Sequence, residues 1–583
     1  MIRGDNSGTD AVSHLLKLGE TLSTEADPLK ILRQLLSGAL QLSNAEAGTI
    51  FKVENNQLHF WIRSRDDDLP AFKLPLYSPE SGKPNIQYVS VYSALRNESV
   101  KIDDIYNDDG NHDFDLAGTR KFDADTGYHT KSMISVPMTA RDNKVIGVMQ
   151  IVNAKDPITG ELGVFDDSDI QLIKSLSSMA AVTLERDELI GSLKTLLNAF
   201  TEVIAGAIDA KSPYTGGHCN RVPEIANLLA EAAQETSYKN FSFTETQWEE
   251  FRLAGKLHDC GKVTTPEYVV DKDTKLSTIY NRIHEVRMRF EVLRRDAEIK
   301  YHQSLLNNPN QEALLKQNLQ QEIDSLNEDF EFVASCNVGG EFLSDDAIHR
   351  LSQIGERQWI RHYDDRVGLS FMDLMHLEHI PKQTLPCEEK LLDDKPEHLT
   401  EWINHSDVDP LAELRANMPK PEYMFNKGEL YNLSIRRGTL SNEERFIIND
   451  HIVQTIAMLK KLPFPDYLKR IPEIAGGHHE KLDGTGYPLG LDENHQDLDI
   501  PARIMAIADI FEALTASDRP YKKAKTLDES LNIMKFMAQD KHIDSDLFRL
   551  FLEQRVFNIY AKDNLNVSQQ ELDAIDITKY LPA

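Results

Sequence analysis

The sequence predicts a multidomain protein in which an α+β domain precedes a larger, metal-binding domain. The 583 residues are enough for two or more domains, each with its own core. Residues 28–42 carry apolar side chains at helical spacing, and residues 133–138 and 145–152 are predicted strands joined by a turn. The adjacent pair His478-His479 stands just before a glycine-rich turn, a setting typical of metal ligation. We expect an N-terminal segment at residues 1–26 and the α+β domain at residues 27–185.

Composition and charge narrow the class of protein. The chain has 64 basic and 94 acidic side chains and a formal net charge of −30, which disfavours DNA, RNA and anionic membranes as partners. Its four cysteines are scattered without CxxC spacing, which disfavours a disulfide framework or a zinc finger and is typical of reduced thiols. No charged-then-apolar leader opens the sequence, and no apolar run approaches the ~20 residues that span a bilayer. We expect a cytoplasmic protein without a nucleic-acid or membrane partner.

An apolar stripe predicts a linker helix at residues 186–206. Five apolar residues recur at steps of 4, 3, 4 and 3, the spacing of core positions in a coiled coil. They are Leu189, Leu193, Leu196, Phe200 and Val203. Such a helix either packs on its own domain or pairs with a second copy. We favour a parallel homodimer, because the helix joins the first domain directly to the segment around His218.

Three separated segments carry imidazole and carboxylate groups. Residues 257–262 contain His258 and Asp259, residues 471–489 contain His478 and His479, and residues 503–514 contain Asp509. A His-Asp dipeptide alone is usually an exposed pair or a helix-terminus contact, so it is weak evidence by itself. Together the groups suit a divalent metal such as Fe, Mn, Zn or Co, whose ligands are distant in sequence and adjacent in the fold. We therefore predict hydrolase chemistry.

The same segments resemble the HD-GYP family, a branch of the HD phosphohydrolases that cleaves cyclic dinucleotides. The resemblance rests on His258-Asp259, on Gly486-Tyr487-Pro488, and on the sequences of residues 208–222, 265–270 and 517–524. It implies an all-α HD-superfamily catalytic domain over residues 207–583, with two divalent metal ions per chain. The ligands it implies are His218, His258, Asp259, His451, His478, His479 and Asp509. We favour Fe or Mn, since this set contains no thiolate.

The resemblance also implies individual roles. Asp259 bridges the two metals, and Lys262, expected on the same helix face as His258, reaches the substrate phosphate or the leaving oxygen. Arg519 and Lys522 match positions that bind substrate phosphates, where a cation offsets negative charge. Tyr487 either lines the substrate base or packs under its loop. We therefore expect Asp259 and Lys262 to be catalytic, and Lys262, Tyr487, Arg519 and Lys522 to bind substrate.

His218 has two open roles. In family members with a third metal, a Glu lies one helical turn before this histidine, whereas this sequence has Tyr214 there. A two-metal centre is therefore the expectation. His218 then either serves a metal weakly or contacts substrate.

The first domain resembles a GAF domain, a module for small-molecule sensing and dimerisation. The resemblance is carried by residues 122–137 and 145–156. In cyclic-nucleotide-binding GAF domains an Asn-Lys pair is followed by Phe-x-x-x-Asp-Glu. Here Asn153 precedes Ala, and Phe165 and Asp169 precede Ile. The match is partial, so a small-molecule ligand of this domain stays an open alternative.

A long insertion, at about residues 275–437, interrupts the catalytic domain. It begins with charged helical sequence at 279–300 and 311–332, which predicts an antiparallel helical hairpin. Its role is open between a lid, a partner surface and a dimer contact. The insertion also creates two candidates for one ligand. We prefer His451 to His284, because the sequence around His451 matches the family.

The resemblance to the HD-GYP family implies a phosphodiesterase that hydrolyses cyclic di-GMP to pGpG, with further hydrolysis to GMP left open, and we expect its sensor domain to regulate it. One alternative is hydrolysis of another cyclic dinucleotide, such as cyclic GMP-AMP, since the metal motifs specify the phosphodiester more than the base. A second is a non-catalytic receptor or scaffold that binds a cyclic dinucleotide. The complete ligand set argues against the second alternative.

Overall fold

The computed structural model describes residues 25, 27–64, 73–108, 110–211, 217–340, 342–402, 409–516, 525–565 and 567–582. The chain divides into two compact units, Met1–Leu197 and Asn198–Ala583. The first is an α+β domain and the second is largely helical, which confirms the predicted fold class. Among the described helices, none combines the length and the apolar character needed to cross a bilayer.

The first unit is built on a six-stranded antiparallel sheet. Its strands are β1 (Ala45–Glu54), β2 (Gln57–Arg63), β3 (Lys73–Pro75), β4 (Val100–Ile102), β5 (Met133–Thr139) and β6 (Val145–Ala154). Their spatial order is β3-β2-β1-β6-β5-β4. The helices of this unit are α1 (Pro28–Ser43), α2 (Val89–Arg96), α3 (Ala117–Thr126) and the first part of α4 (Asp167–Lys211). The strands predicted at 133–138 and 145–152 are thus present as β5 and β6, paired antiparallel.

Alternating side chains of β6 separate two cores. Met149 and Ile151 are fully buried in one core together with residues of α1 and α4. Val148 points to the opposite core, which includes residues of α2. Strand residues alternate between faces, so β6 contributes side chains to both cores. Helix α1 starts where the Asp27 side chain accepts a hydrogen bond from the Leu29 amide, with proline at its first position.

The second unit contains helices before, within and after the predicted insertion. They are α5 (His218–Glu235), α6 (Glu245–Leu257), α7 (Glu267–Val270), α8 (Ile283–Asn307), α9 (Glu312–Val338), α10 (Asp345–Gly355), α11 (Phe371–His376), α12 (Glu429–Leu433), α13 (Asn442–Lys460), α14 (Ile471–Gly476), α15 (Ile500–Thr515), α16 (Leu527–Gln539), α17 (Ser545–Glu553), α18 (Val556–Asn564) and α19 (Gln569–Asp573). Two short antiparallel ribbons accompany them, β7 (Gln358–Arg361) with β8 (Cys387–Lys390), and β9 (Leu399–Thr400) with β10 (Phe425–Asn426). Both ribbons lie inside the predicted insertion.

The insertion has a core of its own. Helices α8 and α9 form the predicted hairpin, and the Phe290 and Phe330 rings pack edge-to-face at 5.4 Å. Val286 and Val333 are fully buried in the same core, which also contains Leu391 from the segment after β8. The insertion is therefore an ordered subdomain, since a loop without secondary structure buries no such core.

Buried ion pairs connect the beginning and the end of the insertion. Glu429, at the start of α12, accepts hydrogen bonds of 2.8 and 2.7 Å from the two terminal nitrogens of Arg289. Lys272, which precedes the insertion, donates to both carboxylate oxygens of Glu444, which follows it, at 2.8 and 2.7 Å. Lys272 and Glu444 are both buried, so they hold the entry and exit of the insertion side by side. Removing one partner of such a pair leaves an uncompensated buried charge.

Helix α4 extends beyond the predicted linker at 186–206, from Asp167 to Lys211. It includes the end of the first unit and the start of the second. All five residues of the predicted stripe are more than half exposed. Thr201, Ala205 and Ile208 lie on a different face of the same helix and are buried. The predicted stripe is therefore not used for packing within the described chain.

Candidate metal centre

His258 and Asp259 stand at the end of α6. The helix begins with a capping box between Thr244 and Gln247 and ends at Leu257. A 3₁₀ turn at Cys260–Thr264 follows, so the expectation that Lys262 continues the helix of His258 is wrong. In this turn the Gly261 amide donates to Thr455 Oγ1 of α13 at 2.9 Å, and an added Cβ would lie 1.9 Å from the His451 carbonyl oxygen. The chain turns sharply there against α13.

Four other elements bring the remaining predicted ligands to the same place. His218 is the first residue of α5, and His451 lies in the middle of α13. His478 and His479 follow α14 directly, and Asp509 lies on α15. Helix α14 ends at Gly476, and Gly477 connects it to the two histidines. A Cβ at Gly476 would lie 2.5 Å from Ile456 of α13, so glycine allows the close approach that places both histidines.

His218, His258 and Asp259 form a first group of ligand atoms. His218 Nε2 lies 3.0 Å from Asp259 Oδ2, and His258 Nε2 lies 3.3 Å from the same oxygen. Asp509 Oδ1 lies 3.3 Å from His218 Nε2 and 4.0 Å from His258 Nε2. His218 is thus placed with His258 and Asp259, and Asp509 lies beside both histidines.

His451, His478 and His479 form a second group. His479 Nε2 lies 3.3 Å from His451 Nε2, and the His478 and His479 rings are 4.2 Å apart. Asp259 connects the groups, because its Oδ1 lies 3.2 Å from His451 Nε2 while its Oδ2 faces the first group. One carboxylate therefore directs an oxygen to each group, as a bridge between two cations requires.

Hydrogen bonds at Nδ1 fix the histidine tautomers. His258, His451 and His478 each place Nδ1 against the backbone carbonyl three residues earlier in the chain. These carbonyls belong to Gly255, Ile448 and Ala475. A carbonyl only accepts, so Nδ1 carries the proton and Nε2 offers a lone pair. His218 Nδ1 similarly lies 2.6 Å from Glu512 Oε2. Four imidazoles thus keep Nε2 for the centre of the site, as metal ligands do.

The donor set fits divalent metal ions. In the described parts of the chain, Asp259 Oδ1 and His478 Nε2 are buried and have no hydrogen-bond partner. Buried polar atoms without partners are rare and need an explanation, and a bound cation supplies one. Burial lowers the pKa of His478 to about 4, which keeps the imidazole neutral and able to coordinate. Burial opposes ionisation of Asp259, but Lys262 and His258 outweigh it and hold the Asp259 pKa well below its usual range.

Lys262 lies at the accessible side of the site. Its ammonium forms an ion pair with Asp259 Oδ2, and about a fifth of its side chain is exposed. Burial lowers the Lys262 pKa, but the charges of Asp259 and Asp509 outweigh this and raise it. Lys262 is therefore a cation at neutral pH. Its side chain thus contacts Asp259 on one side and solvent on the other.

The Gly484–Pro488 loop packs against the second ligand group. The Tyr487 ring stacks on the His479 ring at 4.7 Å with an interplanar angle of 20°. Glu480 is buried and accepts hydrogen bonds from the Leu489, Gly490 and Leu491 amides. The Tyr487 ring thus packs against a predicted ligand, and its contact with a substrate base stays a prediction.

Residues 27–184 match the family model of the GAF domain, and residues 386–547 match that of the HD domain. The chain carries a GAF domain followed by an HD domain. Both resemblances predicted from the motifs are confirmed at this level. The HD match begins inside the insertion and leaves out His258 and Asp259. In the folded chain, both residues nevertheless lie beside His218 in the first ligand group.

Curated relatives match parts of this chain and are named as phosphodiesterases. The 3'3'-cGAMP-specific phosphodiesterase 1 of Vibrio cholerae is 49% identical over 76 residues, 13% of this chain and 17% of the relative. The cyclic di-GMP phosphodiesterase of Thermotoga maritima is 33% identical over 131 residues, 22% of this chain and 34% of the relative. The chain therefore matches about a third of either relative at most. Among solved structures, the GAF domain of an Acinetobacter phosphoenolpyruvate-protein phosphotransferase is 12% identical, with a TM-score of 0.24, over 31% of this chain and 97% of that chain.

The GAF domain encloses a cavity of about 690 Å³. Arg63, Lys121, Phe122 and Tyr128 are among its lining residues. Asn153, the first residue of the partial nucleotide-binding motif, does not line it. The Asn153 amide instead donates to the Tyr128 hydroxyl and to the His129 carbonyl, at 3.0 and 2.9 Å. Asn153 thus holds the segment that carries Tyr128.

Three further residues named from the sequence are Arg519, Lys522 and His284. Arg519 and Lys522 lie outside the described residues. His284 is exposed in the first turn of α8, beside Arg287, and belongs to neither ligand group. Sequence reasoning missed Glu512, which is buried one helical turn after Asp509. An Asp and a Glu three residues apart share one helix face, and this spacing was the available signal.

We expect Glu512→Gln to weaken metal binding by the HD domain about 10- to 100-fold, the usual effect of losing a partner that orients a ligand. Glu512 accepts from His218 Nδ1 at 2.6 Å and from Arg221 Nε at 2.7 Å, and glutamine removes its charge. Titration of the metal-free protein with Mn(II) measures the affinity. Glu553→Gln, at an exposed position of α17, is the matched control. Equal affinity for Glu512→Gln and wild type would show that Glu512 does not support the ligand.

Proposed function

We propose that this chain is a metal-dependent phosphodiesterase that opens the ring of a cyclic dinucleotide, with cyclic di-GMP as its substrate. The product is pGpG, with further hydrolysis to GMP. The observation that carries the proposal is the position of Asp259, whose two oxygens face two separate groups of imidazoles. The names of the relatives support the substrate class.

The chain's own residues suit such a reaction. Two bound divalent ions, Fe or Mn by the donor set, would supply Lewis acidity and lower the pKa of a water molecule. Asp259, both ligand groups and Asp509 hold the positions of these ions. Lys262, a partly exposed cation beside Asp259, binds a phosphate oxygen or the departing ribose oxygen. The protonated Nδ1 atoms of His258, His451 and His478 remain on backbone carbonyls, so these three imidazoles are not proton donors toward the substrate.

The second candidate substrate is 3'3'-cGAMP. Two relatives from Vibrio cholerae, 49% and 44% identical over 76 and 98 residues, are named for this substrate. Metal ions held by the ligand groups would act on the phosphodiester rather than on the bases, so these groups do not distinguish the two compounds. Parallel assays of both substrates decide between them.

We expect Asp259→Ala to remove turnover of cyclic di-GMP and to reduce bound metal, because one lost carboxylate affects both ion positions. Anaerobic assay by product chromatography, together with metal analysis of the same samples, measures both effects. Asp296→Ala, at an exposed position of α8, is the control and should match wild type. Hydrolysis at the wild-type rate by Asp259→Ala would refute the mechanism. A wild-type protein that hydrolyses neither cyclic dinucleotide would refute the function.

We infer that the chain is a homodimer paired through α4. Leu193 and Leu196 belong to the stripe that is exposed on the single chain, and a coiled-coil partner would cover it. Beyond the stripe, the Lys211 ammonium donates to the carbonyls of residues 262, 263 and 265. The end of α4 is thus attached to the turn that carries Lys262. A GAF-domain ligand that favours one arrangement of α4 would then change turnover.

The GAF cavity suits a small ligand with an anionic group and a ring. Arg63 and Lys121 provide positive charge, and Phe60, Phe122 and Tyr128 provide aromatic surface. A guanidinium binds carboxylate and phosphate groups and stacks on aromatic faces. We infer a ligand of this chemistry for the sensor domain.

We expect Leu193→Asp combined with Leu196→Asp to shift the protein toward monomer and to change its turnover, because two carboxylates in the stripe repel across a paired helix. Light scattering after gel filtration measures the mass, and the cyclic di-GMP assay measures turnover. Thr195→Asp with Asn198→Asp adds the same charge off the stripe and serves as the control. A stable dimer with unchanged turnover in the stripe variant would rule out α4 as both the dimer contact and the signalling route.

A further inference from the structure

The last part of the insertion contacts two elements of the metal centre at once. Residues 411–418 follow the second short ribbon's first strand and precede its second strand, and they include the 3₁₀ turn Ala412–Arg415. Met418 is buried in one core with Ile452 and Val453 of α13, and Tyr487 packs against the same core. This segment therefore lies between the helix of one predicted ligand and the loop after two others.

Arg415 contacts the helix that carries His451. Its Nε and Nη2 donate to the two oxygens of Asp450 at 2.6 and 3.1 Å. Asp450 is the residue immediately before His451. A two-bond contact between guanidinium and carboxylate fixes orientation as well as distance, so it restrains this turn of α13.

Asn417 contacts the loop that carries Tyr487. Its backbone amide donates to the Pro488 carbonyl at 2.9 Å, and its side-chain amide donates to the Gly486 carbonyl. The two acceptors flank Tyr487 in sequence. A Cβ added to Gly490 would lie 3.1 Å from Asn417, which shows how closely the loop and the insertion pack. Glu480 accepts hydrogen bonds from the amides of residues 489–491, whereas Asn417 donates to the carbonyls of Gly486 and Pro488. Asn417 therefore supplies a second, separate support of the loop.

We propose that Asn417 is a positioning residue of the active site, contributed by the insertion, and that it sets the position of the Tyr487 loop for substrate binding. This proposal rests on the proposed function. Under this proposal, residues 411–418 of the insertion form one side of the substrate site and are not a remote partner surface. Among the described residues, Asn417 contacts the loop directly and reaches the second ligand group only through Tyr487, which stacks on His479.

The test replaces the side-chain donor and leaves the backbone bond in place. Asn417→Ala should raise KM for cyclic di-GMP about fivefold, the effect of one lost hydrogen bond, with kcat and metal content near wild type. Asn417→Gln keeps the amide and should recover part of the loss. Asn310→Ala, at the connection between α8 and α9, is the matched control within the insertion and should leave KM unchanged.

A second measurement does not need turnover. Hydrogen–deuterium exchange of the loop amides at residues 484–491 should be faster in Asn417→Ala than in wild type, and unchanged in Asn310→Ala. If Asn417→Ala keeps both the wild-type KM and the wild-type exchange, the proposal is overturned. A fall in metal content and kcat without a KM effect would also overturn it, since that result assigns Asn417 to general stability. If wild type hydrolyses no cyclic dinucleotide, the proposed function fails, and the exchange rates still decide whether Asn417 holds the loop.

Discussion

The arrangement of the second unit depends on a buried carboxylate between two sets of imidazoles. Asp259 is almost fully buried, and an isolated charge in that position would be strongly unfavourable. Its Oδ2 faces His218 and His258, and its Oδ1 faces His451. Three chain segments must converge for these contacts to form, and five for the whole set of predicted ligands. The close glycine contacts at α13 and the Nδ1 hydrogen bonds serve that convergence, because each fixes the approach or the orientation of one ligand.

The insertion changes how this centre is built. His258 and Asp259 precede it and His451 follows it, so the chain leaves the site and returns after an ordered subdomain. The buried pair of Lys272 and Glu444 holds the two ends together, which makes the long excursion compatible with a compact centre. The subdomain then brings Arg415 next to Asp450 and Asn417 next to the Gly484–Pro488 loop.

Sequence reasoning identified elements whose signals are local or chemically distinctive. The strands at 133–138 and 145–152 follow from composition, and the α8–α9 hairpin follows from charged helical periodicity. The seven expected ligands came from residue type and family resemblance. Lys262 was misplaced on a helix because the turn at Gly261 depends on its contact with α13, which is distant in sequence. Glu512, Arg415 and Asn417 were missed for the same reason: their roles arise from partners that only the fold brings near.

The most direct test of the centre is the number of metal ions bound by two histidine variants purified without oxygen. We expect wild type to bind two divalent ions per chain. His451→Ala should lose metal, because His451 lies in the second ligand group beside Asp259, while His284→Ala should match wild type, because His284 is exposed on α8. The reverse result, with metal lost in His284→Ala and retained in His451→Ala, would contradict a centre assembled across the insertion.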